Sequence, residues 1–332
     1  MLSQRAIGRV KTACRQHSTA RNLRSVPTLP DASIDTFRQQ AFEPATPALL
    51  PRGTFNHVPA IGKWFLRPSS KNNGALEINR SYLSNYAPTI VPIEITNQDN
   101  FARIEQPLGF FLECVYSHPS TSTYRSRPSR YFSAFVPGAK AVRKSKRQRS
   151  DDFFFFSAST PLLAPPTANV YLAQASLSDL PKGLRDDVPT PDLVLKAGKG
   201  DVYSSSIWLG LAPTYTPLHR DPNPNLFVQL AGRKTVRLYQ PKVGHGIFAQ
   251  VQERIGGSAN AAIRGEEMMQ GVEKKALEEE VWGGSDEARQ KRDACWEVEV
   301  SSGDGLFIPK GWWHSIKGTG EGMTGSVNWW FR

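Results

Sequence analysis

The chain has 332 residues, 39% of them hydrophobic and 10% aromatic, enough to bury one large core or two small ones. Its 26 glycines and 25 prolines favour a turn-rich, β-dominated chain over a helical bundle. Cys14, Cys114 and Cys295 are scattered without metal-ligand spacing, which argues against a disulfide framework and for a reducing compartment. No apolar run approaches the roughly 18 residues that a membrane-spanning helix needs. The net charge of +11 would suit a nucleic-acid binder if it were spread over the fold. Instead, residues 1–30 carry six basic residues and residues 124–149 carry nine, both without an acid, so the remainder of the chain nets −4.

Residues 1–30 are Arg-rich and Ser/Thr-bearing, and Leu2, Ile7 and Val10 can share a helical face. That composition predicts a mitochondrial presequence that takes no part in the fold; a disordered basic tail is the alternative, with the nucleus or cytoplasm as the address. The Pro-rich, apolar stretch from Phe42 to Lys63 reads as an extended segment lying along a core. Strands are predicted at Leu76–Ile78, Ile90–Thr96 and Phe110–Tyr116. Residues 117–150 are poor in apolar residues and rich in Ser, Pro and Arg, which predicts a long mobile insert. Within it Lys140–Arg149 has the composition of a nuclear-localisation or RNA-binding stretch, although no interleaved aromatic offers base stacking. The run Phe153–Phe156 is expected to be buried as a core strand, since exposed it would aggregate.

Tyr171 to Leu195 is predicted to open on an apolar turn and to continue as a short helix and loop, after which Ser206–Leu211 is a strand that delivers the chain to Thr216. His219 and Asp221 then stand two apart in an extended, Pro-flanked stretch, so both side chains point to one face. An imidazole and a hard carboxylate presented together supply two of the three ligands of a two-His, one-carboxylate metal site. Asn225–Leu230 and Arg233–Tyr239 read as a hairpin turned at Ala231-Gly232. In its second strand Lys234 shares a face with Val236 and Leu238, and a lysine on an apolar face needs an anionic partner unless it snorkels to the surface. Residues 243–295 form an insertion with a charged helix at Gly265–Trp282, read as a solvated face in preference to a substrate lid. Gly303–His314 is a turn, an apolar strand, a second turn and a histidine among aromatics, and in Ser326–Phe331 Asn328 and Trp330 share a face. His314 is thus a candidate third ligand, although a core histidine would also fit; His245 lies too far from the strand pattern.

On these residues the chain resembles the JmjC-type, cupin-like oxygenases that depend on Fe(II) and 2-oxoglutarate, above all the small JmjC protein hydroxylases. The resemblance runs through Thr216–Asp221, Asn225–Tyr239, Gly303–His314 and Ser326–Trp330, with weaker matches at Tyr171–Gln174, Leu180–Leu184, Pro47–Gly53 and Pro59–Trp64. It implies a mainly β protein with flanking helices (α+β) around a double-stranded β-helix, or jelly-roll, core. Residues 31–170 would flank the barrel and 171–332 would form the catalytic core. It further implies His219, Asp221 and His314 as the iron ligands. Lys234 and Thr216 would hold the distal carboxylate of 2-oxoglutarate, helped by Tyr171, Asn225 and Asn328. The implied reaction consumes O2, decarboxylates 2-oxoglutarate to succinate and hydroxylates a protein side chain. Demethylation of an N-methyl-lysine is the same chemistry, and a cupin-like scaffold without turnover is the rival from another class. The basic insert leaves nucleic acid as a second partner class.

Overall fold

The computed structural model describes residues 23–67, 75–97, 100–118, 168–258, 266–284 and 293–332. The leader up to residue 22, the basic stretch 124–149 and the Phe153–Phe156 run lie outside the described residues. Arg24–Ser25 nevertheless joins a sheet and Val26 and Leu29 are buried, so the folded body begins ahead of residue 31, inside the segment read as a presequence. No described helix is long and apolar enough to cross a membrane.

The strands, in chain order, are β1 (Arg24–Ser25), β2 (Ala48–Leu49), β3 (Phe65–Leu66), β4 (Glu77–Ile78), β5 (Ile90–Asn97), β6 (Asn100–Pro107), β7 (Asn169–Ser176) and β8 (Val202–Leu211). They continue as β9 (Thr214–Arg220), β10 (Asn225–Ala231), β11 (Arg233–Tyr239), β12 (Trp296–Ser301), β13 (Gly305–Ile308), β14 (Trp313–Thr319) and β15 (Met323–Phe331). The helices are α1 (Ile34–Phe37), α2 (Pro59–Lys63), α3 (Arg80–Leu83), α4 (Leu108–Ser117), α5 (Lys182–Asp186), α6 (Asp192–Lys196), α7 (Pro241–Ile255) and α8 (Gly271–Trp282).

Two sheets carry the architecture, one of eight strands in the order β2-β13-β10-β15-β8-β7-β5-β6 and one of five in the order β1-β12-β11-β14-β9. Their facing sides meet in an apolar layer in which Phe227, Leu306 and Ile308 of the larger sheet pack with Val236, Leu238, Val298 and Val300 of the smaller. The back of the larger sheet buries a second core under α2 and α4, and the back of the smaller one is covered by α7 and α8 through Leu218, Tyr239, Phe248, Leu277, Val281 and Trp313. This is the expected jelly roll, mainly β with flanking helices.

Three local expectations are corrected. β10 and β11 do not form a hairpin: β10 pairs with β13 and β15, and β11 with β12 and β14, so the chain crosses from one sheet to the other between them. Gly232 makes that corner at φ +66°, a conformation that favours glycine. Phe110–Tyr116 is not a strand but most of α4, which starts after Pro107 and buries Leu108, Phe111, Leu112 and Val115, the spacing of one helical face. Tyr171 lies inside β7 rather than in a turn. The charged helix of the insertion exists but begins at Gly271.

A Cβ added at Gly232 would lie 2.6 Å from the Met323 carbonyl oxygen as well as forcing a non-glycine residue into the left-handed region. Gly232→Ala is expected to cost about 1–3 kcal/mol, read as a lower urea midpoint at unchanged slope. An unchanged midpoint would mean that the corner relaxes freely.

Candidate active site

The strand pairings bring the predicted residues together. β9 and β14 are antiparallel, with His219 opposite His314 and Thr216 opposite Ile316. Between these pairs the single residue Ser315 of β14 therefore faces two of β9, Pro217 and Leu218, which is a bulge. In a regular strand Thr216 and His219, three apart, would point to opposite faces. The extra residue puts both on the face of His314 and Ile316, while Leu218 turns outward into the core under α7. β11 continues the same concave face, since Leu238, Val236 and Lys234 lie opposite His314, Ile316 and Gly318.

His219, Asp221 and His314 offer ligand atoms that all lie within 4.8 Å of one another. The imidazoles are 4.2 Å apart between ring centres, and His314 Nε2 is 3.7 Å from an Asp221 oxygen. Each histidine has its Nδ1 against a backbone carbonyl two residues back, at 2.8 Å to Pro217 and 3.2 Å to Trp312. A carbonyl can only accept, so each Nδ1 carries a hydrogen and Nε2 is the nitrogen each ring has left for a cation. Burial pushes His314 down to about 4, with His219 adding to the push and Asp221 opposing it, so this ring is neutral at physiological pH. Burial alone would raise Asp221, but His314 and then His219 outweigh it and hold the carboxyl below its ordinary range. One carboxylate and two imidazole nitrogens on one face suit a divalent metal with positions to spare.

Asn225 and Asn328 stand at this end of the face. Asn328 Nδ2 donates to Asn225 Oδ1 at 3.0 Å, and Asn225 Nδ2 donates to Asp221 Oδ2 at 2.9 Å. At the other end Lys234, 3% exposed, donates to Ser326 Oγ at 2.8 Å and to the Tyr171 hydroxyl at 3.3 Å. No carboxylate pairs with it among the described residues, and burial pushes its ammonium down to about 7. Burial, and then the Glu94 carboxylate, raise Tyr171, which stays a phenol. On the same face the buried Trp208 indole N–H also lacks a hydrogen-bond partner among the described residues. This donor-rich end suits an anion. A cleft of about 340 Å³ opens beside Asp221, lined by Ser176, Ser204, Ser206, Trp330, Arg103 and Gln174 among others.

The structure thus groups every residue singled out in the sequence, and divides them into a metal end and a lysine end. Sequence reasoning missed Ser326 as the hydroxyl on Lys234, Trp208, and the serines of the cleft. The alternation Ser204, Ser206, Trp208 along β8 was their one available signal. His245 sits on α7 with its ring 6.4 Å from that of Trp313, apart from the set.

A jelly roll with a convergent His, Asp, His set on its concave face has the architecture of the cupin-like proteins. The chain belongs to the cupin-like domain family, whose model matches residues 35–332. It is 30% identical over 166 residues to "Lysine-specific demethylase JMJ30" of Arabidopsis thaliana, which covers 50% of this chain and 34% of that protein. It is 26% identical over 162 residues to "Lysine-specific demethylase 8" of Danio rerio, covering 48% of this chain and 36% of that protein. With "Jumonji C domain-containing protein 5" of Drosophila melanogaster it shares 25% identity over 310 residues, 92% of this chain and 60% of the other. The chain therefore spans between about a third and three-fifths of the length of these relatives.

The unpaired Lys234 makes a stability prediction. Its folded value of about 7 lies below the ordinary 10.5, so between those values the unfolded chain holds a proton that the folded one gives up. Stability of the ligand-free protein is lowest below pH 7 on this account and recovers as pH rises. Lys234→Met is expected to raise ligand-free stability at pH 7 by about 1–3 kcal/mol, with the gain over the parent shrinking towards pH 9. A pH-independent difference in urea midpoints would show that the charge is not the cause.

Proposed function

We propose that this chain is an Fe(II)- and 2-oxoglutarate-dependent dioxygenase that hydroxylates a protein side chain. The observation that carries the reading is the pairing, on one concave face, of a metal-ready His219, Asp221 and His314 with a buried lysine that has no acid of its own.

His219, Asp221 and His314 would hold the iron. Lys234, with Ser326 and Tyr171, would take the distal carboxylate of 2-oxoglutarate, and Thr216 shares their face. When bound, iron and 2-oxoglutarate supply O2 activation: one oxygen atom goes to succinate as CO2 leaves, and the other enters a C–H bond of the acceptor to give an alcohol. The chain's own residues do the rest. The backbone carbonyls of Pro217 and Trp312 orient the imidazoles, and Asn225, steadied by Asn328, orients the Asp221 carboxylate. Phe227, Val236, Leu238 and Ile316 keep the space between the two ends free of water. The cleft beside Asp221 is the route for the acceptor, and its serine hydroxyls and Arg103 suit a polar peptide segment. The printed names of the Arabidopsis and zebrafish relatives favour a second reading, removal of a methyl group from an N-methyl-lysine after the same hydroxylation. The Arg-rich, acid-free leader supports import into mitochondria, which the location of a reporter fused to residues 1–30 would test.

The reading is tested by anaerobic titration of the whole chain with Fe(II) and 2-oxoglutarate, followed by succinate measurement on admitting air. The parent is expected to bind both and to form succinate slowly without acceptor. His219→Ala should lose iron and Lys234→Met should keep iron but lose 2-oxoglutarate, each lowering turnover at least about a hundredfold. Retention of both ligands by both variants would sink the assignment. With acceptor peptides, gain of one oxygen separates hydroxylation from demethylation, which releases formaldehyde.

A further inference from the structure

The outer face of the smaller sheet carries a set of contacts that the proposed chemistry does not use. Ser315 follows His314 in β14, points away from the concave face and is fully buried. Its Oγ donates to the Thr216 backbone carbonyl at 2.8 Å, inside the bulge that brings Thr216 and His219 to one face. The same Oγ accepts from Trp282 Nε1, the last residue of α8, at 2.9 Å.

Two cations of the sheet lie over the Trp282 ring. The Arg237 guanidinium lies 4.2 Å from its centre and the Lys317 ammonium 5.2 Å. Arg237 donates to the Val281 carbonyl and to Glu297, both at 2.6 Å, and Lys317 donates to Glu278 at 2.6 Å. Two cations from β11 and β14 thus key the last turn of α8 onto the sheet, and the indole N–H reaches the Ser315 hydroxyl that bonds the bulge.

We propose that Trp282 and Ser315 are positioning residues through which the insertion's second helix holds the Thr216–His219 bulge and thereby sets affinity for the cosubstrate. The inference rests on the reading of Thr216 and Lys234 as the 2-oxoglutarate site. A bulge has an irregular ladder, so a side-chain donor on its backbone decides how it sits. Removing Ser315 Oγ frees the Thr216 carbonyl to shift and leaves the Trp282 N–H without its acceptor. The metal would be held by Asp221 and His314 as well as by His219 of β9, so it should feel the change less.

The test measures Fe(II) and 2-oxoglutarate dissociation constants under anaerobic conditions for the full chain, Ser315→Ala and Trp282→Phe, well below their melting temperatures. The expected result is a 2-oxoglutarate constant raised about five- to tenfold in Ser315→Ala and about two- to fivefold in Trp282→Phe, which keeps an aromatic ring for the two cations. Fe(II) binding should change less than about twofold in both, and in turnover the loss should appear in KM for 2-oxoglutarate and not in kcat. A purely structural role would lower the melting temperature and leave both constants alone, and that outcome overturns the proposal. If Ser315→Ala does not fold, Trp282→Phe decides by the same criterion. A parent that binds no 2-oxoglutarate overturns the functional reading and this one with it; a parent and variants that bind equally overturn this one alone.

Discussion

Two sheets packed face to face have to bury what lies between them, and here that includes an ammonium and a carboxylate as well as two imidazoles. Charge in a jelly-roll interior is costly unless it is paired or hydrogen-bonded. The structure meets the constraint by separation. Asp221 accepts from Asn225 at one end, Lys234 is only partly satisfied at the other by two hydroxyls, and apolar Val236, Leu238, Phe227 and Ile316 fill the space between. A fold selected for stability alone would replace Lys234 by an apolar residue. A buried lysine without an acid is the observation on which the proposed binding of an anionic cosubstrate at this end rests.

The separation would also let the same face hold the two proposed ligands without mixing their chemistry. His314 is kept neutral by burial and by His219, so it competes poorly for protons and well for a metal. Lys234, pushed down to about 7 by burial alone, regains its full charge only beside an anion. Each end is thus tuned by what surrounds it, and the tuning at the lysine end depends on the ligand itself.

Much of this was legible in the sequence because it rests on alternation. His219 with Asp221, and Lys234 with Val236 and Leu238, are period-two patterns, and they survive into the structure unchanged. What alternation cannot carry is cross-strand register. Thr216 and His219 share a face only because of a bulge defined by β14, a strand that lies about a hundred residues further along the chain. The Ala231-Gly232 connection looks like a hairpin turn since a glycine at positive φ serves equally a turn within a sheet and a corner between sheets. Phe110–Tyr116 was misread because a short apolar run has no period long enough to choose between strand and helix; Pro107 just ahead of it was the better guide.

The insertion shows the same limit for charge. Read along one helix, Lys274, Glu278 and Glu280 look like a solvated surface, yet Glu280 is buried against Arg254 and Glu278 holds Lys317 of the sheet. Opposite charges on neighbouring elements serve here as docking contacts, and their partners lie far away in sequence. The consequence for function is a division of labour. In the proposed function, reaction chemistry would sit on strands whose faces are fixed by burial, and acceptor selection would fall to the cleft edges on β6, β7 and β8. The described helices of the insertion, α7 and α8, pack behind the smaller sheet, on the side away from the concave face.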